Sequence, residues 1–171
     1  MEIYYINSEN FLKTHDTDFL KKFAGEKEFK SMKRFVQHSL GRYLVKTVAE
    51  QVYAVVNTEI LIENDKPKFK NSSLNFSISH SGKYIVVAFD KAECGLDIEE
   101  MKPRELEPLS KRYEKEFLTL EDFYKFWTNY EAEIKLQQPA KWSHSEVFQT
   151  DFMLTAVSVT ADNRVVIREM K

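Results

Sequence analysis

The chain has 171 residues, of which 43% are hydrophobic, 13% aromatic and 30% charged, with four Gly, four Pro and one Cys. That length and apolar content support one compact domain, or two small halves sharing a core, and exclude a disordered or low-complexity chain. A net charge of -2 gives no general electrostatic pull toward nucleic acid or an anionic membrane, so any anion site must be local.

The lone cysteine, Cys94, leaves no partner for an intramolecular disulfide or a cysteine-built zinc site and fits a reducing compartment. The first residues carry Glu2 and Glu9 and lack the basic start and apolar run of a secretory signal. No stretch approaches the roughly 20 apolar residues of a membrane span, so cytoplasmic residence is expected.

Residues 1–7 are expected to form a strand through Ile3 and Tyr5, followed by a polar stretch and helical patterning over 18–23. A long helix is predicted over 29–52, because Val36, Leu40, Leu44 and Val48 recur every four residues with no Pro among them; Gly41 within it suggests close packing. Asn64, Asp65 and Pro67 mark a turn. Three strands follow in succession at 74–79, 83–89 and 94–100, which predicts one antiparallel sheet.

A second helix over 118–138 presents Phe123, Trp127, Tyr130 and Ile134 as its apolar face and stops at Pro139. Residues 152–159 and 164–168 read as a terminal hairpin. The order strand, helix, strands, helix, strands permits an α+β fold of two similar α/β halves with antiparallel sheets, approximately 1–90 and 91–171, in a single pseudo-duplicated domain.

Three clusters carry chemistry. In Gly95-Leu96-Asp97-Ile98-Glu99 the period-two alternation of a strand points Asp97 and Glu99 to one face, where a cation would relieve their repulsion; a solvent-facing acidic strand is the other reading. In the helical stretch 127–135, Glu131 and Lys135 lie four residues apart, as a third carboxylate and a phosphate-neutralising amine or as a surface ion pair. Phe76-Ser77-Ile78-Ser79-His80-Ser81-Gly82 runs a strand into a turn able to approach a phosphate. A hydrolase built from Ser79 or Ser81 with His80 is disfavoured, since neighbouring residues on a strand face opposite ways. On the early helix Arg34, His38 and Arg42 form a basic stripe, either a phosphate contact or a solvated face.

Together these stretches resemble the 4′-phosphopantetheinyl transferase superfamily, in its longer, pseudo-dimeric branch typified by activators of surfactin and other peptide synthetases. That branch carries a (F/N)xxSHSG strand, then a G(I/L/V)D(I/L/V)E strand, then a helical W(T/S)xKEAxxK. Residues 76–82, 95–99 and 127–135 match these in the same order, and the recognisable match covers about residues 66–135. The chain departs from the pattern in two ways: Tyr130 stands where the motif has Lys, and Leu136, Gln137 and Gln138 stand where a Gly commonly follows.

The resemblance implies an α+β fold and a Mg²⁺-dependent transfer of phosphopantetheine from coenzyme A to a serine of an acyl or peptidyl carrier protein. It implies Asp97, Glu99 and Glu131 as magnesium ligands, with Asp97, Glu131 and Lys135 catalytic. Ser79, His80, Lys66 and Lys135 are then expected near the coenzyme A phosphates, and the basic stripe of the early helix, read independently from its spacing, would bring Arg34 and Arg42 to the 3′-phosphate. The protein is expected to be a monomer with no nucleic-acid or membrane partner. A catalytically weakened module that binds coenzyme A or a carrier protein is the competing reading, motivated by Tyr130.

Overall fold

The computed structural model describes residues 1–170. Its first layer is a four-stranded sheet in the order β4-β5-β1-β9, built from β1 (Glu2–Asn7), β4 (Asn75–Ser81), β5 (Tyr84–Asp90) and β9 (Val166–Glu169). β1 runs antiparallel to β5 and parallel to β9. The β4-β5 hairpin turns at Gly82, whose φ of 53° lies in the region that favours glycine.

Against this sheet lies α3 (Met32–Gln51), N-capped by Ser31, whose hydroxyl accepts the Arg34 amide hydrogen. Leu40, Leu44, Val45 and Val48 are fully buried with Ile85 and Val87 of β5. Each such side chain contributes about 1.5–3 kcal/mol by leaving water. Gly41 brings helix and sheet together as expected: a Cβ there would sit 3.2 Å from Ile78. The short α1 (Ser8–Phe11) and α2 (Thr17–Ala24) complete this side. A separate hairpin, β2 (Ile60–Glu63) and β3 (Lys66–Phe69), turns at Asn64 and Asp65, both at positive φ as a two-residue loop favours.

The second sheet has the order β6-β8-β7, from β6 (Cys94–Glu100), β7 (Trp142–Phe148) and β8 (Phe152–Ser158), all antiparallel. It is covered by α5 (Leu120–Leu136), which starts at a capping box of Thr119 and Asp122. α4 (Leu106–Tyr113) packs beside α5. The fold is α+β with antiparallel-rich sheets, as expected.

Three local expectations are corrected. The strands near 74–100 do not share one sheet: β4 and β5 pair, but β6 departs to pair with β8. Residues 152–168 do not form a hairpin, since β8 stays between β6 and β7 while β9 crosses to β1. The buried stripe of α5 is Tyr124, Thr128, Ala132 and Leu136 rather than the Phe123-Trp127-Tyr130-Ile134 face; Phe123 is buried, but Tyr130 is 48% and Ile134 52% exposed. Within that stripe the small Thr128 and Ala132 lie in the middle, where the helix comes closest to β6 at Gly95.

Candidate active site

The site lies where the two sheets meet, and serines make the junction. β6 has a strand partner on one side only, so its other edge presents backbone N–H groups that need acceptors. Strand alternation turns Ser77, Ser79 and Ser81 of β4 toward that edge. Their hydroxyls accept from the amides of Leu96 (3.0 Å), Ile98 (3.3 Å) and Glu100 (3.0 Å). Two of them also donate: Ser79 Oγ to Asp97 Oδ1 at 2.8 Å and Ser81 Oγ to Glu99 Oε2 at 2.9 Å. Asp97 and Glu99 are thus fixed side by side on one face of β6, while Leu96 and Ile98 enter the core behind.

Gly95, two residues earlier on the same face, sets the distance to α5. A Cβ there would lie 2.0 Å from the Ala132 carbonyl oxygen, so only glycine admits the helix at this depth. The close approach lets Lys135 reach across to β6, where its Nζ donates to Asp97 Oδ1 at 2.7 Å and to the Leu96 carbonyl at 3.0 Å. The other oxygen, Asp97 Oδ2, is buried without a hydrogen-bond partner, although the residue is 4% exposed. An unpaired buried carboxylate oxygen is costly.

From Asp97 and Lys135 a cleft of about 820 Å³ opens between α3, β4 and the β2-β3 hairpin. Arg34, His38 and Arg42 line it together, as the helical spacing predicted, joined by Lys27, Lys30 and His80. Only Glu28 and Asp97 bring negative charge to this lining. Ile60, Ile62 and Pro67 of the β2-β3 hairpin give it an apolar wall, and Phe29 packs against His38 on the α3 side. In a chain of net charge -2 this is a local concentration of cations suited to a phosphorylated ligand.

Both histidines here titrate below the ordinary imidazole range. Desolvation is the main cause in each, followed for His38 by the charges of Lys27 and Arg42. For His80 the charge of Lys135 adds to desolvation, against a backbone hydrogen bond that acts the other way. Glu99 is pushed above the usual carboxylate range, first by desolvation and further by Asp97, while its bond from Ser81 opposes the shift.

The expected residues are sorted unevenly. Asp97, Lys135, His80, Ser79, Arg34 and Arg42 all line the cleft, and Glu99 lines a groove that continues from it past His80. Ser79 is positioned differently from expectation, its hydroxyl committed to Asp97 and the Ile98 amide. Lys66 is turned away: it is 6% exposed, and its Nζ contacts Glu93 at 2.5 Å and the Cys94 carbonyl at 3.2 Å. Alternation explains this, since its neighbour Pro67 is the residue of β3 that faces the cleft.

The expected three-carboxylate cluster is not formed. Among the described residues no group of three His, Cys, Asp or Glu side chains could hold a metal ion. Glu131 is half-buried one turn before Lys135 on α5 and does not join the Asp97-Glu99 pair. Tyr130 projects outward, stacked on Phe126, and lines neither the cleft nor the groove. Sequence reasoning missed the structural roles of Gly95 and the Ser77-Ser79-Ser81 series. The serine alternation was visible, but its meaning depended on which edge of β6 stays open.

No family model matches the chain. It is 30% identical over 156 residues to the 4′-phosphopantetheinyl transferase Sfp of Bacillus subtilis (strain 168), covering 79% of this chain and 69% of that protein. With the 4′-phosphopantetheinyl transferase ffp of Bacillus subtilis it shares 33% identity over 113 residues, 60% of this chain and 50% of the relative. With the 4′-phosphopantetheinyl transferase gsp of Aneurinibacillus migulanus it shares 25% over 154 residues, 79% and 65% of the two lengths. The alignments thus span half to about two thirds of these relatives.

Proposed function

Because this chain belongs to the 4′-phosphopantetheinyl transferase family, we propose that it transfers the 4′-phosphopantetheine group of coenzyme A to a serine of an acyl or peptidyl carrier protein, releasing adenosine 3′,5′-bisphosphate. The observation that supports this most directly is the basic cleft of Arg34, His38 and Arg42 that ends on Asp97 and Lys135. Its apolar wall suits a purine, its arginines suit the 3′-phosphate, and its inner end suits the pyrophosphate.

Asp97 and Glu99 fit a magnesium ion. Mg²⁺ is commonly held by one or two carboxylates together with substrate phosphates and water, so the pair suffices without Glu131. The partnerless Asp97 Oδ2 is the acceptor such an ion would satisfy. When bound, the ion would offset charge on the pyrophosphate.

The chain's own residues then position and protonate. Two of the three Lys135 ammonium hydrogens are used, on Asp97 and Leu96, leaving one for a phosphate oxygen. His80, at the boundary of cleft and groove, can donate to the leaving phosphate. Glu131, one turn before Lys135, lines neither cavity, so it would accept the proton of the carrier serine through water where the docked carrier brings that serine to α5. An acidic carrier would dock along Lys102 and Arg104 beside the groove and Lys111 and Arg112 on α4. Tyr130 lines neither the cleft nor the groove, so the substitution leaves the Asp97-Lys135 end of the cleft unaltered, which supports a working transferase over a weakened binding module.

Intact-protein mass spectrometry of apo carrier proteins from the same host, incubated with this protein, coenzyme A and Mg²⁺, tests the proposal. The expected result is one phosphopantetheine added per carrier, lost in Asp97→Asn. Tight coenzyme A binding with every carrier left unmodified would favour the binding module.

A further inference from the structure

A strand edge left open invites another chain unless it is short, charged or covered, and the edges of this fold differ in that respect. β4 and β6 turn their outer edges on each other through the serine hydroxyls. β2 and β3 have four residues each, and β9 has four that include Arg168 and Glu169. β7 is the exception. It runs for seven residues, Trp142–Phe148, with no Lys, Arg or Pro among them. β8 pairs with it along its whole length on one side, and among the described residues no other backbone group bonds to its main chain.

Alternation divides the side chains of β7 between two faces. Trp142 and Phe148 lie on the face that packs into the core between the sheets. On that same face His144 and Glu146 bond to each other at 2.8 Å, with 40% and 39% of their side chains exposed. Ser143, Ser145 and Val147 point to the α5 side. α5 packs chiefly over β6 and β8, so Val147 is left 42% exposed. Ser143 and Ser145 border an open hollow of about 550 Å³ that Phe117 and Phe126 also line.

We propose that β7 pairs antiparallel with β7 of a second copy of this chain, joining the two three-stranded sheets into one, in place of the monomer expected from the sequence. A two-fold axis perpendicular to the sheet keeps every side chain on its own face, so the axis passes through a residue of the strand. An axis at Ser145, the midpoint, uses all seven residues. It sets His144 opposite Glu146 of the second copy and Glu146 opposite His144 of the second copy, a hydrogen-bond donor against a carboxylate at both pairs. An axis at Glu146 would set two carboxylates face to face, and one at His144 two imidazoles, each with less overlap. The Ser145 register also sets Val147 of the second copy opposite Ser143, on the side of the hollow, where its exposed methyl groups leave water.

A single strand edge is smaller than the surface of a permanent dimer, so the association is reversible and depends on concentration. Sedimentation equilibrium from micromolar to millimolar protein is expected to show monomer and dimer only, because a two-fold contact closes on itself. His144→Glu sets two carboxylates against each other, and Glu146→Lys sets an ammonium against an imidazole. Each change acts at both symmetry-related pairs, so each variant alone is expected to associate about tenfold more weakly than the parent.

The decisive sample is an equal mixture of the two variants. Across the hetero-pair one position then carries opposite charges and the other keeps His144 against Glu146, so association is expected to return to at least the parent strength. Misfolded variants could not give that recovery. A parent that stays monomeric over the whole range, or a mixture that associates no better than its components, overturns the proposal. Neither result bears on the transferase reading, because β7 borders neither the cleft nor the groove.

Discussion

Ser79 Oγ lies 2.8 Å from Asp97 Oδ1 while accepting the Ile98 amide hydrogen at 3.3 Å, so one hydroxyl both holds a carboxylate and closes a strand edge. Ser79→Ala removes both bonds from a buried position. A loss of about 1–3 kcal/mol in unfolding free energy is expected, together with weaker coenzyme A binding. Urea unfolding followed by calorimetry checks the two effects separately.

Gly95→Ala is expected to be more severe. Its added methyl would sit 2.0 Å from the Ala132 carbonyl oxygen, which belongs to helix backbone and cannot swing aside. Displacing α5 would cost about 3 kcal/mol by overpacking and would draw Lys135 away from Asp97. Thermal denaturation, and loss of coenzyme A binding in the fraction that still folds, are the readouts.

Arg42→Glu should separate binding from folding. Arg42 lines the basic cleft and is not among the core residues, so stability should stay within about 0.5 kcal/mol of the parent. Affinity for adenosine 3′,5′-bisphosphate should fall by about tenfold or more, the weight of one charge-assisted hydrogen bond. The salt dependence of that affinity should flatten as well.

The depressed titration of His38 and His80 predicts proton uptake on binding. Desolvation and neighbouring cations keep both rings neutral near neutral pH. A phosphate beside them favours the imidazolium and raises their pKa in the complex. Affinity for the bisphosphate should therefore rise as pH falls from about 7.5 toward about 6, below which the phosphate itself begins to protonate. Calorimetry in buffers of different ionisation heat should report the uptake, and it should shrink in His38→Gln.

The residues that bear charge were more legible in the sequence than the frame that holds them. Asp97 with Glu99 and Arg34 with Arg42 follow from the repeat of a strand and of a helix, which any local reading contains. The separation of β6 from β5, the crossing of β9 to β1 and the buried stripe of α5 depend on long-range pairing, which alternation alone does not encode. Lys66 shows the same limit within one dipeptide: it was expected beside the phosphates, but the strand face toward the cleft belongs to Pro67.

The serine contacts between β4 and β6 also bear on how the protein reaches its working form. Until the sheets dock, the Leu96, Ile98 and Glu100 amides and the Glu99 carboxyl group have only water as partner and Asp97 has only Lys135 of its own layer, and afterwards all five are engaged by the other sheet. Closing the tertiary structure and arming the reaction centre are therefore one event, and a chain arrested before docking would be inert as well as unstable.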